Sequence, residues 1–94
     1  GLLYHSLLQY DQAIFYLVKA IRNDPSKHKA YYELASSYAL AKQPEQAILY
    51  LRQAIQRGFK SFNALLDDPD LESLHKLKAF QDLMDEYMPN WRER

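Results

Sequence analysis

The sequence predicts an all-α protein, an α-α superhelix of antiparallel helix pairs closed by C-terminal capping helices. Three observations carry the prediction. The chain repeats itself with a period of 34 residues, its apolar side chains recur at spacings of three and four, and no segment needs to be a strand. The repeat is read by sliding the chain against itself. Tyr4, Gln9, Gln12, Ala13, Ile14, Tyr16, Leu17, Ala20 and Ile21 fall on Tyr38, Gln43, Gln46, Ala47, Ile48, Tyr50, Leu51, Ala54 and Ile55, nine identities where chance gives one or two. A chain of 94 residues is one small domain or a piece of a larger one. With 48% apolar and 26% charged residues, two glycines and four prolines, it is a globular and helix-friendly composition.

The elements follow in order. Helices are predicted at about 1–9, 11–23, 28–41 and 44–57. The second and fourth carry one apolar stripe each, Ala13, Ile14, Leu17, Ala20 and Ile21 in one and Ala47, Ile48, Leu51, Ala54 and Ile55 in the other. Asp24-Pro25 stops a helix, Pro44 sits where the first turn of another begins, and Gly58 follows Ile55 at a left-handed C-terminal cap. Beyond residue 60 a short helix is expected near 61–66, a turn or two near 70–76, and a last helix over 78–87 ended by Pro89.

With this period and spacing, residues 1–60 resemble the tetratricopeptide repeat. The second unit offers Tyr31, Leu34, Ala35, Tyr38, Ala47, Leu51 and Ala54, which reproduce the family's order of aromatic, large and small positions. The first supplies Gly1, Tyr4, Ala13, Leu17, Ala20 and Pro25 but lacks the opening turn of its first helix, and Phe59 stands where the family usually has proline. From Gly58 onward, Gly58, Phe59, Leu66, Asp68, Pro69, Asp70, Leu71, Leu74, Phe80, Gln81 and Leu83 resemble the terminal segment that closes many bacterial arrays of this kind. The implied organisation is one continuous solenoid: an incomplete first unit over 1–25, a complete unit over 26–60 and a capping segment over 61–94. Such a cap covers the apolar face an end repeat would expose. Leu2, Leu3, Leu7 and Leu8 have no preceding unit in this sequence, so further repeats are expected before Gly1 or self-association through that open end.

Charge and chemistry narrow the function classes. Twelve basic and twelve acidic residues give a net charge of zero, which carries no footprint for nucleic acid or an anionic membrane. The balance is uneven, +4 over residues 1–60 and −4 over 61–94, which hints at an acidic partner segment for the first part. No cysteine is present, so disulfides and thiolate-bound metal are excluded. No apolar run approaches the roughly 20 residues of a membrane span. His5, His28 and His75 lack metal-ligand spacing, and Asp67, Asp68 and Asp70 lack the glycine and closing glutamate of a calcium loop; a helix N-cap at Asp68 or Asp70 is the better reading. No nucleophile, base and acid set or phosphate loop emerges, so no enzyme and no cofactor are expected. Nothing selects a compartment, the cytoplasm being the default.

Tyr4, Tyr31 and Tyr38 are expected in the core, Tyr16 and Tyr50 at a half-exposed edge. The resemblance implies a non-catalytic interaction module whose concave face, lined by the first helix of each unit, grips a peptide of a partner protein. The matching positions are Lys29, Tyr32, Ser36, Ala39 and Leu40 in the second unit and Leu2, His5 and Ser6 in the first. They suit a side chain lodged against Tyr32 and an acidic group near Lys29. The subgroup that clamps chaperone C-termini has Lys and Asn where this chain has Tyr32 and Ser36, so such tails are not expected ligands. The alternative is a regulatory or scaffolding appendage of a larger enzyme or transport machine.

Overall fold

The computed structural model describes residues 2–93 of the chain and the side chains of residues 9–93. The elements run α1 (Leu2–Asn23), α2 (His28–Leu40), α3 (Pro44–Gln56), α4 (Phe62–Asp67), a 3-10 segment η1 (Pro69–Leu74), α5 (Lys78–Tyr87) and a last 3-10 turn η2 (Trp91–Glu93), with no strand among the described residues. The chain is an all-α helical repeat, and the fold class read from the sequence stands.

The helices α2 and α3 pack on each other, and both end by copies of one device. At the end of α3, Gly58 takes φ +116°. There the Gly58 N–H donates to the Ile55 carbonyl at 3.1 Å and the Phe59 N–H to that of Ala54 at 2.9 Å, the paired bonds of a Schellman cap. At the end of α2, Lys42 takes φ +63°. The Lys42 N–H donates to Ala39 at 3.1 Å and the Gln43 N–H to Tyr38 at 2.9 Å. Pro44 then opens α3 at its first turn, where a missing N–H costs nothing.

The first unit departs from expectation. Helices over 1–9 and 11–23 were expected with a turn between them; instead α1 is one helix of 22 residues. The repeat register gives the reason. Leu8 stands at the place of Lys42 and Tyr10 at the place of Pro44. Leucine resists the left-handed conformation that the turn demands, at a cost of roughly 1–2 kcal/mol, and Tyr10 keeps the N–H that proline lacks, so the α-helical hydrogen-bond ladder continues. The α1 helix ends where expected. The Asp24 N–H donates to Ala20 at 3.0 Å, and the Asp24 carboxylate accepts from the Ser26 backbone N–H at 3.1 Å and the Ser26 hydroxyl at 2.6 Å, bonds that hold its pKa below the usual carboxylate range.

Within the pair, Ala35 on α2 and Ala47 and Ala54 on α3 are wholly buried, and small side chains there let the two helices approach. Leu51 and Tyr31 are buried in the same cluster, and Leu34 is wholly buried as well. Tyr38 is half-buried, its ring stacked on Tyr50 at 5.5 Å between centroids, while Tyr16 is 69% exposed; Tyr4 lies outside the side chains described. Phe59, where the family usually has proline, is buried and serves as the apolar residue that follows the cap.

The capping segment follows its expected layout within a residue or two. α5 begins at Lys78 and closes at Tyr87, two residues before Pro89, while η2 was not foreseen. Leu65, Leu71, Leu74, Phe80, Leu83 and Met84 are wholly buried, so the cap contributes as much to the core as the repeat does. Burial of each large apolar side chain contributes about 1.5–3 kcal/mol before entropy is counted. Polar ties fix the layer: His75 Nε2 bonds the Leu65 carbonyl at 2.9 Å, and Arg52 on α3 pairs with Glu86 on α5 while its guanidinium lies over the Tyr87 ring.

Candidate partner-binding face

α2 carries Lys29, Tyr32, Ser36, Ala39 and Leu40 at helical spacings that place them along one face. That face has three parts. At its N-terminal end Lys29 is exposed beside a groove between α1 and α2 whose lining includes Leu17, Ala20, Ala30 and Glu33. The middle is covered by the chain's own cap: Tyr32 is half-buried, Ser36 and Ala39 are buried, and η1 packs across α2. At the C-terminal end Leu40 is half-exposed and, with Ala39, lines a groove of about 480 Å³ walled by Lys42, Pro44, Pro69, Asp70 and Leu77.

The middle is built around Tyr32. Its ring stacks on Phe59 at 4.6 Å and 11°, and its hydroxyl donates to Asp68 Oδ2 at 2.5 Å. The other oxygen of the same carboxylate accepts the Asp70 N–H at 2.9 Å and so caps η1. One aspartate therefore opens the capping turn and ties it to α2. Burial, followed by the adjacent Asp68 and Asp70 carboxylates, pushes the Tyr32 phenol above its ordinary pKa. Burial and the Asp68 charge likewise raise the Asp70 carboxyl. One turn along α2, the buried Ser36 hydroxyl makes no hydrogen bond of acceptable geometry.

The geometry of this face differs from the sequence expectation at several positions. A partner side chain was expected to lodge against the Tyr32 ring, but Phe59 is stacked on it, because the residue in the usual proline position is aromatic and the Schellman cap turns it inward. Lys29 and Leu40 stay accessible, Ser36 and Ala39 do not, and His5 falls outside the side chains described. Asp68 as the partner of Tyr32 was missed, as were the groove walls Pro69, Asp70 and Leu77. The acidic turn was legible as a cap, but a contact 36 residues away in the chain has no local signal. Among the described residues no three His, Asp or Glu side chains are placed to hold a metal ion.

Comparison with known proteins defines the class. The family model of the tetratricopeptide repeat matches residues 1–27 and 28–57, more than half of the chain, and the chain belongs to that family. It is also similar to a chloroplastic protein of Arabidopsis thaliana, at 27% identity over 90 residues that cover 93% of this chain and 27% of the relative. The chain thus spans about a quarter of the length of the curated relative it matches. No solved structure matches it significantly. Tetratricopeptide repeats generally mediate protein–protein interaction, and no helix among the described residues is long and apolar enough to cross a membrane.

Proposed function

We propose that this chain is a non-catalytic protein-interaction module that holds a partner peptide along the α2 face, from Lys29 to Leu40, with apolar contacts at the Leu40 end. The observation that carries this reading is the groove of about 480 Å³ at Ala39, Leu40, Pro44, Pro69 and Leu77, apolar along its floor, with the Lys42 ammonium and the Asp70 carboxyl as its charged members. An apolar anchor side chain fits the floor, and polar groups to either side fix its orientation. Lys29 is exposed and forms no ion pair among the described residues, so it suits an acidic group of the same partner. Tyr32, Ser36 and Ala39 act from beneath, by fixing the angle between α2 and η1 that gives the groove its width.

The test is selection of binding peptides from a displayed random library, followed by affinities for two variants. Leu40→Glu is expected to weaken selected peptides at least about tenfold, roughly 1.4 kcal/mol, and Lys29→Glu to weaken those that carry an acid. Leu49→Ser, on an exposed position of α3, leaves affinity unchanged. Peptides that bind wild type and Leu40→Glu alike overturn the reading.

The relative's length favours one further statement. A quarter-length match to a longer protein fits a module that serves a larger one, so the scaffolding appendage remains the second reading.

A further inference from the structure

We propose that an acidic segment of the partner polypeptide docks on the loop end of the helix pair, where Lys27, Lys29, Arg57 and Lys60 come together. The inference rests on the reading of this chain as a peptide-binding module and adds to it an electrostatic contact separate from the Leu40 groove.

Two neighbouring segments build this surface. The start of α2 and the loop after α3 lie side by side: Arg57 Nε donates to the Pro25 carbonyl at 2.9 Å, and the His28 ring lies 6.3 Å from that of Phe59. Lys27, Lys29, Arg57 and Lys60 are all exposed there, and none forms an ion pair among the described residues. Asp24 is the one carboxylate over residues 24–30 and 56–61, and it is engaged by the Ser26 N–H and hydroxyl. Four cations thus share one carboxylate that the loop already uses.

At α2 this arrangement works against the fold. Lys27 is the N-cap, with no side-chain hydrogen bond to the helix, and no acid stands in the first turn. A helix start carries about half a positive charge and favours Ser, Thr, Asp or Asn at its cap, so Lys27 and Lys29 oppose it. Two other starts follow the rule: Glu45 stands in the first turn of α3, and Asp68 caps η1. A local rule broken without a compensating contact marks a surface kept for something outside the fold. Arg57 is prepared for the same role. Its bond to Pro25 and the Tyr31 ring, 4.5 Å from the guanidinium, hold it in place, and its Nη groups have no hydrogen bond among the described residues, so they can take a carboxylate. The occupant follows from charge and extent. A polypeptide stretch with two or more Asp or Glu side chains matches four cations, whereas a nucleic acid strand needs a longer basic track and would also meet the capping segment, whose net charge over 61–94 is −4.

The probe is a hexaglutamate peptide, titrated into the isotope-labelled chain and followed by amide chemical shifts. Shifts are expected to concentrate at residues 24–29 and 57–60, and the affinity to fall as salt rises. Lys27→Asp with Lys60→Glu is expected to weaken binding at least about tenfold, while the melting temperature holds or rises because an acid now caps α2. Hexaglutamate has no apolar side chain to enter the Leu40 groove, so the two contacts fail separately: selected peptides insensitive to Leu40→Glu would overturn the groove and leave this result standing. Equal affinity in the folded double variant, or shifts centred on Lys42, Lys76 and Lys78 instead, overturns the proposal. Absence of binding at low salt overturns it as well. A hexathymidylate strand that binds as tightly as hexaglutamate would make the surface a reader of any polyanion and overturn the acidic polypeptide as its occupant.

Discussion

Leu17 and Leu51 occupy the same place in two copies of one repeat, yet Leu51 is wholly buried and Leu17 lines an open groove. Ala20 and Ala54 differ in the same way, as do Tyr16 and Tyr50. The apolar stripe is equally clear in both helices, so the difference lies in the neighbour. α3 packs against both α2 and α5, whereas the contacts described for α1 are with α2. Burial in a repeat protein belongs to the pair of helices, and an amphipathic pattern states only which face is available for it.

The largest test of that comparison is a pair of truncations. Leu51→Ala is expected to destabilise the chain by about 3 kcal/mol, through lost transfer energy and a cavity that the wholly buried surroundings cannot close. Leu17→Ala is expected to cost below about 1 kcal/mol in dilute solution, since water already reaches the side chain. Urea unfolding followed by circular dichroism measures both. Equal costs would show that the face of α1 is covered. A cost for Leu17→Ala that rises with protein concentration would tie the covering to association.

Gly58→Ala comes next. The backbone has φ +116° there, a region that L side chains rarely adopt, although an added Cβ would meet nothing closer than His28 Nδ1 at 3.8 Å. Strain without a clash predicts a loss of about 1–2 kcal/mol. The Schellman bond from Phe59 to Ala54 seats the aromatic ring on Tyr32, so the variant should also loosen the cap from α2. Faster amide exchange at Leu71 and Leu74 than at Leu34 would show this.

How much was legible follows from where each signal sits. The 34-residue register and the 3–4 spacing revealed the repeat, the ends of α2 and α3, and the cap's layout, because Pro44, Gly58 and the Asp68-Pro69 turn are local devices. The continuous course of α1 is encoded at Leu8 and Tyr10, which lack the turn chemistry of their equivalents Lys42 and Pro44. The candidate face was legible as a set of positions on α2. Its coverage was not, since it depends on Phe59 stacking on Tyr32 and Asp68 bonding it, contacts between segments far apart in the chain.

Tyr32→Phe removes the hydroxyl that holds Asp68 and keeps the ring on Phe59. A loss of about 1 kcal/mol is expected at neutral pH, the ordinary worth of one hydrogen bond to a charged, partly solvated acceptor. The pH dependence has a definite sign. The folded phenol titrates above the ordinary tyrosine value of about 10, so its contribution is complete below that value and is lost as pH rises beyond it. Wild type and variant should therefore differ most near pH 8 and converge as the solution becomes strongly alkaline. A constant difference across that range would mean that the hydroxyl does not hold the cap.

The smallest effect expected is a gain. Lys42 sits at φ +63° in the cap of α2, the position that glycine fills at the end of α3. Lys42→Gly relieves the strain of a side chain in the left-handed region but gives the unfolded chain more freedom, and the two nearly offset to leave about 0.5–1 kcal/mol of stabilisation. The melting temperature should rise by a few degrees, as expected for a domain of this size. Because Lys42 also lines the Leu40 groove, an acid-bearing peptide seated there should bind the variant less tightly even as the fold becomes more stable. Stability and affinity moving in opposite directions on one substitution would identify the turn as a place where the second unit keeps a strained lysine for its partner. Movement in the same direction would make Lys42 a spacer and return the recognition charge to Lys29.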